Sequence, residues 1–235
     1  MNIIEKALAK KAQLDSVIPG ERIRFVPDIL LLSGDSILSI IEEFYDLEYE
    51  KVLQPSSTFI VQNPLNNSVE VICFSKKYGV ELLERESTVS IQVESLREMV
   101  ITGVEGEIGA FGSIGAISVK VSPAAMAKCL GKGTIEFTIP ETIYIELSGV
   151  LNGKQKVERL CDYLMDYFND SLVGYGIILS GEALEQLDIE EKRKLTTFLY
   201  ELGGAIGMIS PSGPLGQVES VVKINTLQIP DKNSV

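Results

Sequence analysis

Two hydrophobic rhythms alternate along the chain. Short, nearly continuous apolar runs such as "DILLL", "STFIVQN", "MVITG", "YGIILSG" and "AIGMIS" are the pattern of strands buried on both faces. Between them lie stretches with apolar residues three and four apart, the pattern of helices with one buried stripe. Ile37, Ile40, Ile41 and Phe44 form one such stripe, and the opposite face carries Glu42, Glu43 and Asp46. Val157, Leu160, Cys161, Leu164 and Phe168 form a second.

Polar punctuation marks the ends. Residues 3–11 read as a short opening helix. Asp35 or Ser36 is placed to cap the helix that follows "VPDILLLSGDS", because a short polar side chain can accept the unpaired amides of a first turn. Ser68 starts a helix with Val69, Ile72 and Cys73 inward, and Gly79 stops it. Ser122 and Pro123 open another, with Gly131 as its stop. Asp188 with Glu191 makes a capping box for a helix running to Leu202, closed by Gly203 and Gly204. "TIEFTI" and "ETIYIEL" are strands, the second alternating Ile143, Ile145 and Leu147 against Thr142, Tyr144 and Glu146. Strands alternating with helices predict an α/β fold, a three-layer α/β/α sandwich with a largely parallel sheet. The expected organisation is one domain over 1–210 and a loosely attached tail over 211–235.

Composition narrows the chemistry. The 235 residues suffice for a substantial core, and 45% hydrophobic with 23% charged is ordinary for a globular protein. No apolar run approaches the roughly 18 residues that would span a bilayer, and "MNIIEKALAKKAQLD" lacks the apolar core of a secretory signal. The expectation is a cytoplasmic protein off the membrane. A net charge of −12, from 21 Lys plus Arg against 33 Asp plus Glu, argues against a nucleic-acid partner, which needs clustered cations. Cys73, Cys129 and Cys161 are far apart, without the spacing of a metal or redox pair. Histidine is absent, which removes Ser-His and Cys-His catalysis and imidazole metal ligands from this chain.

One stretch fits neither rhythm. "GVEGEIGAFGSIGA" places glycine at 106, 109, 112 and 115, a period that suits neither an α-helix nor a strand. The dinucleotide fingerprint needs G-x-G-x-x-G, and a Walker-type loop ends in GK followed by a hydroxyl residue; neither is met. The remaining reading is a backbone path that needs small residues or positive φ.

With its neighbours, this loop resembles one family. Residues 132–154, "KGTIEFTIPETIYIELSGVLNGK", are similar to the segment reading roughly "GKTWFKVPETIKVVLEGKL" in the large subunits of aconitase and 3-isopropylmalate dehydratase. Residues 180–211 resemble the family's following "GEAI" helix-and-strand segment, residues 3–23 its N-terminus, and "VPDILLLSGDS" its "VDLVL.HDG". Gly109, Gly112 and Gly115 correspond to its "YGALGAFATG" loop, with Gly106 beside them as scaffold. The resemblance implies one half of the aconitase iron–sulfur region and a hydro-lyase ancestry.

It also implies losses. The matches cover about the first half of such a large subunit, while the cluster-binding cysteines belong to the second, so a [4Fe–4S] cluster is expected to be absent, with no other metal. The family's "DH" pair maps onto Gln62 and Asn63 before Pro64. The histidine of "HDG" falls on Gly34 beside Asp35, and "HQV" becomes Ile91-Gln92. The Asp-Ser-His before the loop becomes Glu105-Gly106. The resulting expectation is a pseudoenzyme, a non-catalytic domain acting through a protein partner or self-association. The alternatives are a small-molecule binding module in the former cleft, or one half of a split hydro-lyase whose partner supplies the cluster. No catalytic residue is assigned. The cleft candidates are Asp35, Gln62, Asn63, Gln92, Glu105, Glu107 and Ser113.

Overall fold

A computed structural model describes residues 1–62, 68–84, 96, 98–151, 155–169, 171–210 and 220–229. Its core is two parallel sheets flanked by helices, the expected α/β/α layering. The first sheet has the order β4-β3-β2-β5-β6, formed by β2 (Ile29–Leu32), β3 (Thr58–Gln62), β4 (Glu81–Glu84), β5 (Val100–Gly103) and β6 (Ile117–Lys120). The second has the order β10-β9-β8-β11, from β8 (Thr142–Ser148), β9 (Gly176–Ser180), β10 (Ile206–Ile209) and β11 (Ser220–Asn225). Every pairing within these two sheets is parallel. A separate antiparallel ribbon joins β1 (Arg22–Phe25) to β7 (Ile135–Thr138).

Parallel strands need helical crossovers, which bury both faces of the sheet. That explains why β2, β9 and β10 are apolar at successive positions and fully buried. It also corrects the simple alternation expected of β8. Ile143, Ile145 and Leu147 do enter one core, with α5 (Lys156–Phe168) and α6 (Ile189–Glu201). Tyr144 is buried as well, in the main core on the opposite face. There it meets Leu30, Leu32, Ile60 and the inward faces of α1 (Ile3–Ala12), α2 (Ile37–Asp46), α3 (Val69–Tyr78) and α4 (Pro123–Lys132).

Most helix ends fall where their polar residues place them. Asp188 accepts from the Glu191 amide while Glu191 accepts from the Asp188 amide, closing the capping box on α6. Ser68 and Ser122 cap α3 and α4. Three details differ. Ser36 makes no cap bond to α2; its hydroxyl is drawn instead to Glu105. Gly131 lies inside α4, and Gly133, with φ +73°, ends it. A methyl group at 131 would sit 2.3 Å from the Tyr49 ring, so that glycine serves close packing. On α3 the inward residues are Val71, Phe74 and Ser75, while Val69 and Cys73 are exposed. The apolar residues of α3 lie on two faces, and the Phe74–Phe44 edge-on ring contact, at 5.4 Å, goes with the face that turns in.

The expected loose tail contains a sheet strand. β11 pairs with β8 over six residues, and Ile224 is buried in the second core. Residues 211–219 and 230–235 lie outside the described residues.

The glycine-rich stretch winds into a nine-residue 3₁₀ helix, Gly106–Ile114. A 3₁₀ helix has three residues per turn, so residues three apart stack in a row. The repeat therefore sorts its side chains into rows. Ile108, Phe111 and Ile114 pack under the first sheet against Ile29, Leu31 and Ile101. The glycine row faces α6 and β10: a methyl at Gly109 would lie 2.8 Å from the Thr196 carbonyl oxygen, and one at Gly112 2.1 Å from that of Gly207. Gly115, at φ +85°, terminates the helix. Small residues and one positive φ are what the sequence demands there; the winding that uses them is 3₁₀.

Candidate functional site

From β2 the chain crosses to β3 and β4 on one side, whereas β5 and β6 lie on the other. The strand order thus reverses between β2 and β5, and in open parallel sheets a crevice forms at the carboxyl ends on either side of such a reversal. A cleft of about 570 Å³ opens here. Gly34 and Asp35 follow β2, Glu105 to Glu107 follow β5, Lys120 ends β6, and Thr197, Tyr200 and Glu201 of α6 form the far wall.

The cleft is acidic. Among the described residues, Asp35, Glu105, Glu107 and Glu201 line it against a single lysine, Lys120. The Ser36 hydroxyl donates to the Glu105 carboxylate, tying the loop after β5 to the turn after β2. Gly34 makes this contact possible. It adopts φ +70°, and a Cβ there would lie 2.7 Å from Glu105 Cγ. The position that the resemblance assigns to a histidine is thus a glycine, and the Glu105 side chain fills the space above it.

The floor is held by Tyr200. Its buried hydroxyl donates to the Ser118 carbonyl at 2.6 Å and accepts from the Gly207 amide at 3.1 Å, linking β6 to β10. Burial pushes this phenol far above its ordinary pKa of 10.0. The sheets also meet where the Lys120 amide donates to the Ala205 carbonyl at 3.5 Å. Ser118 in turn donates to the Ile108 carbonyl at 2.8 Å, fixing the 3₁₀ helix beneath the cleft.

Of the residues singled out from the sequence, Asp35, Glu105, Gly106 and Glu107 come together in this cleft. Ser113 does not line it; it is buried in the 3₁₀ helix and donates to the Ala110 carbonyl at 2.6 Å. Gly109 and Gly112 lie beneath, packed on α6 and β10. Gln62 ends β3, and Asn63 and Gln92 lie outside the described residues. Lys120, Thr197, Tyr200 and Glu201 escaped sequence reasoning. Only Tyr200 carried a signal, its helical spacing with the buried Thr196 and Leu199.

The cysteines occupy three different helices. Cys73 is exposed on α3, Cys129 is buried in α4, and Cys161 is half-buried on α5. Burial pushes the Cys129 thiol up to about 12. Burial, aided by the carboxylates of Glu201, Glu158 and Asp162, does the same to Cys161. Among the described residues, no group of three or more His, Cys, Asp or Glu side chains is arranged to hold a metal ion, and no helix is long and apolar enough to cross a membrane.

No family model matches the chain. It is similar to 3-isopropylmalate dehydratase large subunit 1 of Pyrococcus furiosus, at 24% identity over 228 residues, covering 90% of this chain and 54% of that protein. It is 23% identical to the probable methanogen homoaconitase large subunit of Methanothermobacter thermautotrophicus, with the same coverage. With the 3-isopropylmalate dehydratase large subunit of a Hydrogenobaculum species it shares 25% identity, over 89% of this chain and 53% of that protein. The chain spans about half the length of these curated relatives.

Proposed function

We propose that this chain, which resembles the large subunits of the aconitase and 3-isopropylmalate dehydratase family, is an α/β half-module that works joined to a protein partner and does not hydrate or dehydrate a hydroxy acid by itself. The observation that carries this reading is the packing at the cleft, where the Glu105 side chain occupies the space above Gly34, the position at which the resemblance implies a histidine.

Catalysis of that kind needs a group that moves a proton and a site that tolerates a polyanion. Imidazole is absent from the chain, and among the described residues of the cleft four carboxylates face one lysine. Like charges within several ångströms repel, and a multiply charged acid would be disfavoured by each of them. The family's iron–sulfur cluster supplies Lewis-acid chemistry when bound, but this chain's cysteines, on three separate helices, do not fit a cluster's ligand set, so we assign no step to one. Support for a partner comes from the relatives' names, which are those of large subunits.

Similarity over 90% of this chain to a protein named as a dehydratase large subunit also favours a second reading, in which a partner supplies the cluster and a hydro-lyase is reconstituted. The test is co-expression with the neighbouring genes, followed by size-exclusion chromatography with light scattering and iron quantified across the peaks. An iron-free complex with a second protein is the expected outcome, and an iron-bearing complex that turns over 3-isopropylmalate supports the split enzyme. Turnover of 3-isopropylmalate by the chain alone, or a chain that stays alone at every concentration, refutes the proposal.

A further inference from the structure

The tripeptide repeat reaches from the cleft to the seam between the two sheets. Its first residues, Gly106 and Glu107, line the cleft. Six residues on, Gly112 meets the Gly207 carbonyl of β10, about 12 Å away at the 2 Å rise of a 3₁₀ helix. A 3₁₀ run of nine residues is long for this conformation, so packing must hold it. In an α-helix each step of three residues falls about 60° short of a full turn, so the glycine row would swing about 180° between Gly106 and Gly115. The methyl-free surface would then leave α6, and Ile108, Phe111 and Ile114 would leave the first sheet.

We infer that this 3₁₀ helix is a rigid strut that sets the position of the acidic cleft loop from the seam between the sheets. Two of its rows are committed to neighbours, the glycines to α6 and β10 and the apolar residues to the first sheet. Rotation about its own axis is therefore blocked, and a displacement at one end moves the other. The cleft end is anchored by Ser36 on Glu105, and the seam end by Gly112 on Gly207. The inference holds whether or not the partner reading does.

Coupling of this kind is reciprocal, and hydrogen exchange followed by mass spectrometry reads both directions. Ser36→Ala releases the cleft end without adding bulk. Exchange in residues 206–209 should quicken by about threefold or more, with α5 unchanged. Gly112→Ala disturbs the seam end and should quicken residues 103–107 likewise. Because that variant risks unfolding, Ser36→Ala alone decides the matter. Exchange in residues 206–209 that stays at the wild-type rate in Ser36→Ala, or a uniform rise that includes α5, overturns the strut.

Discussion

Tyr200→Phe removes one oxygen atom and leaves the packing of α6 nearly untouched, so its effect isolates the link between the sheets. Two hydrogen bonds disappear, the one donated to the Ser118 carbonyl and the one accepted from the Gly207 amide. A typical intramolecular bond contributes about 0.5–1.5 kcal/mol net, and a buried amide left without an acceptor costs about 1–3 kcal/mol. The expected loss is therefore about 2–4 kcal/mol. For a chain of this size about 1 kcal/mol corresponds to 2–4 °C in Tm, so the drop should be about 4–16 °C. Thermal and urea unfolding followed by circular dichroism measure it, with Tyr167→Phe, at a residue 54% exposed, as a control expected to stay within about 0.5 kcal/mol. A Tyr200→Phe change no larger than that control would mean that the hydroxyl does not join the two sheets.

Three further outcomes follow from the same geometry. Gly109→Ala drives a methyl to 2.8 Å from Thr196 and Thr197 backbone atoms, and such overpacking costs about 1–3 kcal/mol; an unchanged urea midpoint would refute the close approach of the 3₁₀ helix to α6. Ellman's reagent in native buffer at pH 8 should modify one thiol rapidly, Cys73, because Cys73 is exposed whereas burial raises the Cys129 and Cys161 thiols to about 12; three equal rates would contradict that. A group whose folded pKa is raised lends stability that is complete below its unfolded pKa and is lost as pH rises above it. The protein should accordingly lose stability above pH 9, as the unfolded state ionises Cys129 and Cys161 (ordinary value 9.0) and then Tyr200 (10.0). Tyr200→Phe should flatten the alkaline part of this slope, read from urea midpoints between pH 8 and 11.

The sequence by itself determined what depends on near neighbours. A capping box needs only a short polar residue and a glutamate three positions on, so the start of α6 at Asp188 and Glu191 could be read directly. Apolar runs long enough for a strand and flanked by helix patterns made the parallel sheets legible, and β2, β9 and β10 are buried as those runs imply. The missing imidazoles were equally plain. Asp35 and Glu105 could be named because the resemblance maps each onto a cleft position, and the structure gathers them there with Glu107.

Only the tertiary structure decided the rest, because each remaining choice turns on a partner distant in sequence. The face α3 buries depends on Phe44, thirty residues before Phe74. Ser36 abandons a helix cap because Glu105 stands within reach, and β11 becomes a strand because β8 offers an edge. The glycine repeat states a period of three but not a winding. That winding is chosen by α6 and Gly207, which leave no room for a Cβ at Gly109 or Gly112. Local spacing can reserve a place for small residues; the surface that needs them exists only once the chain has folded.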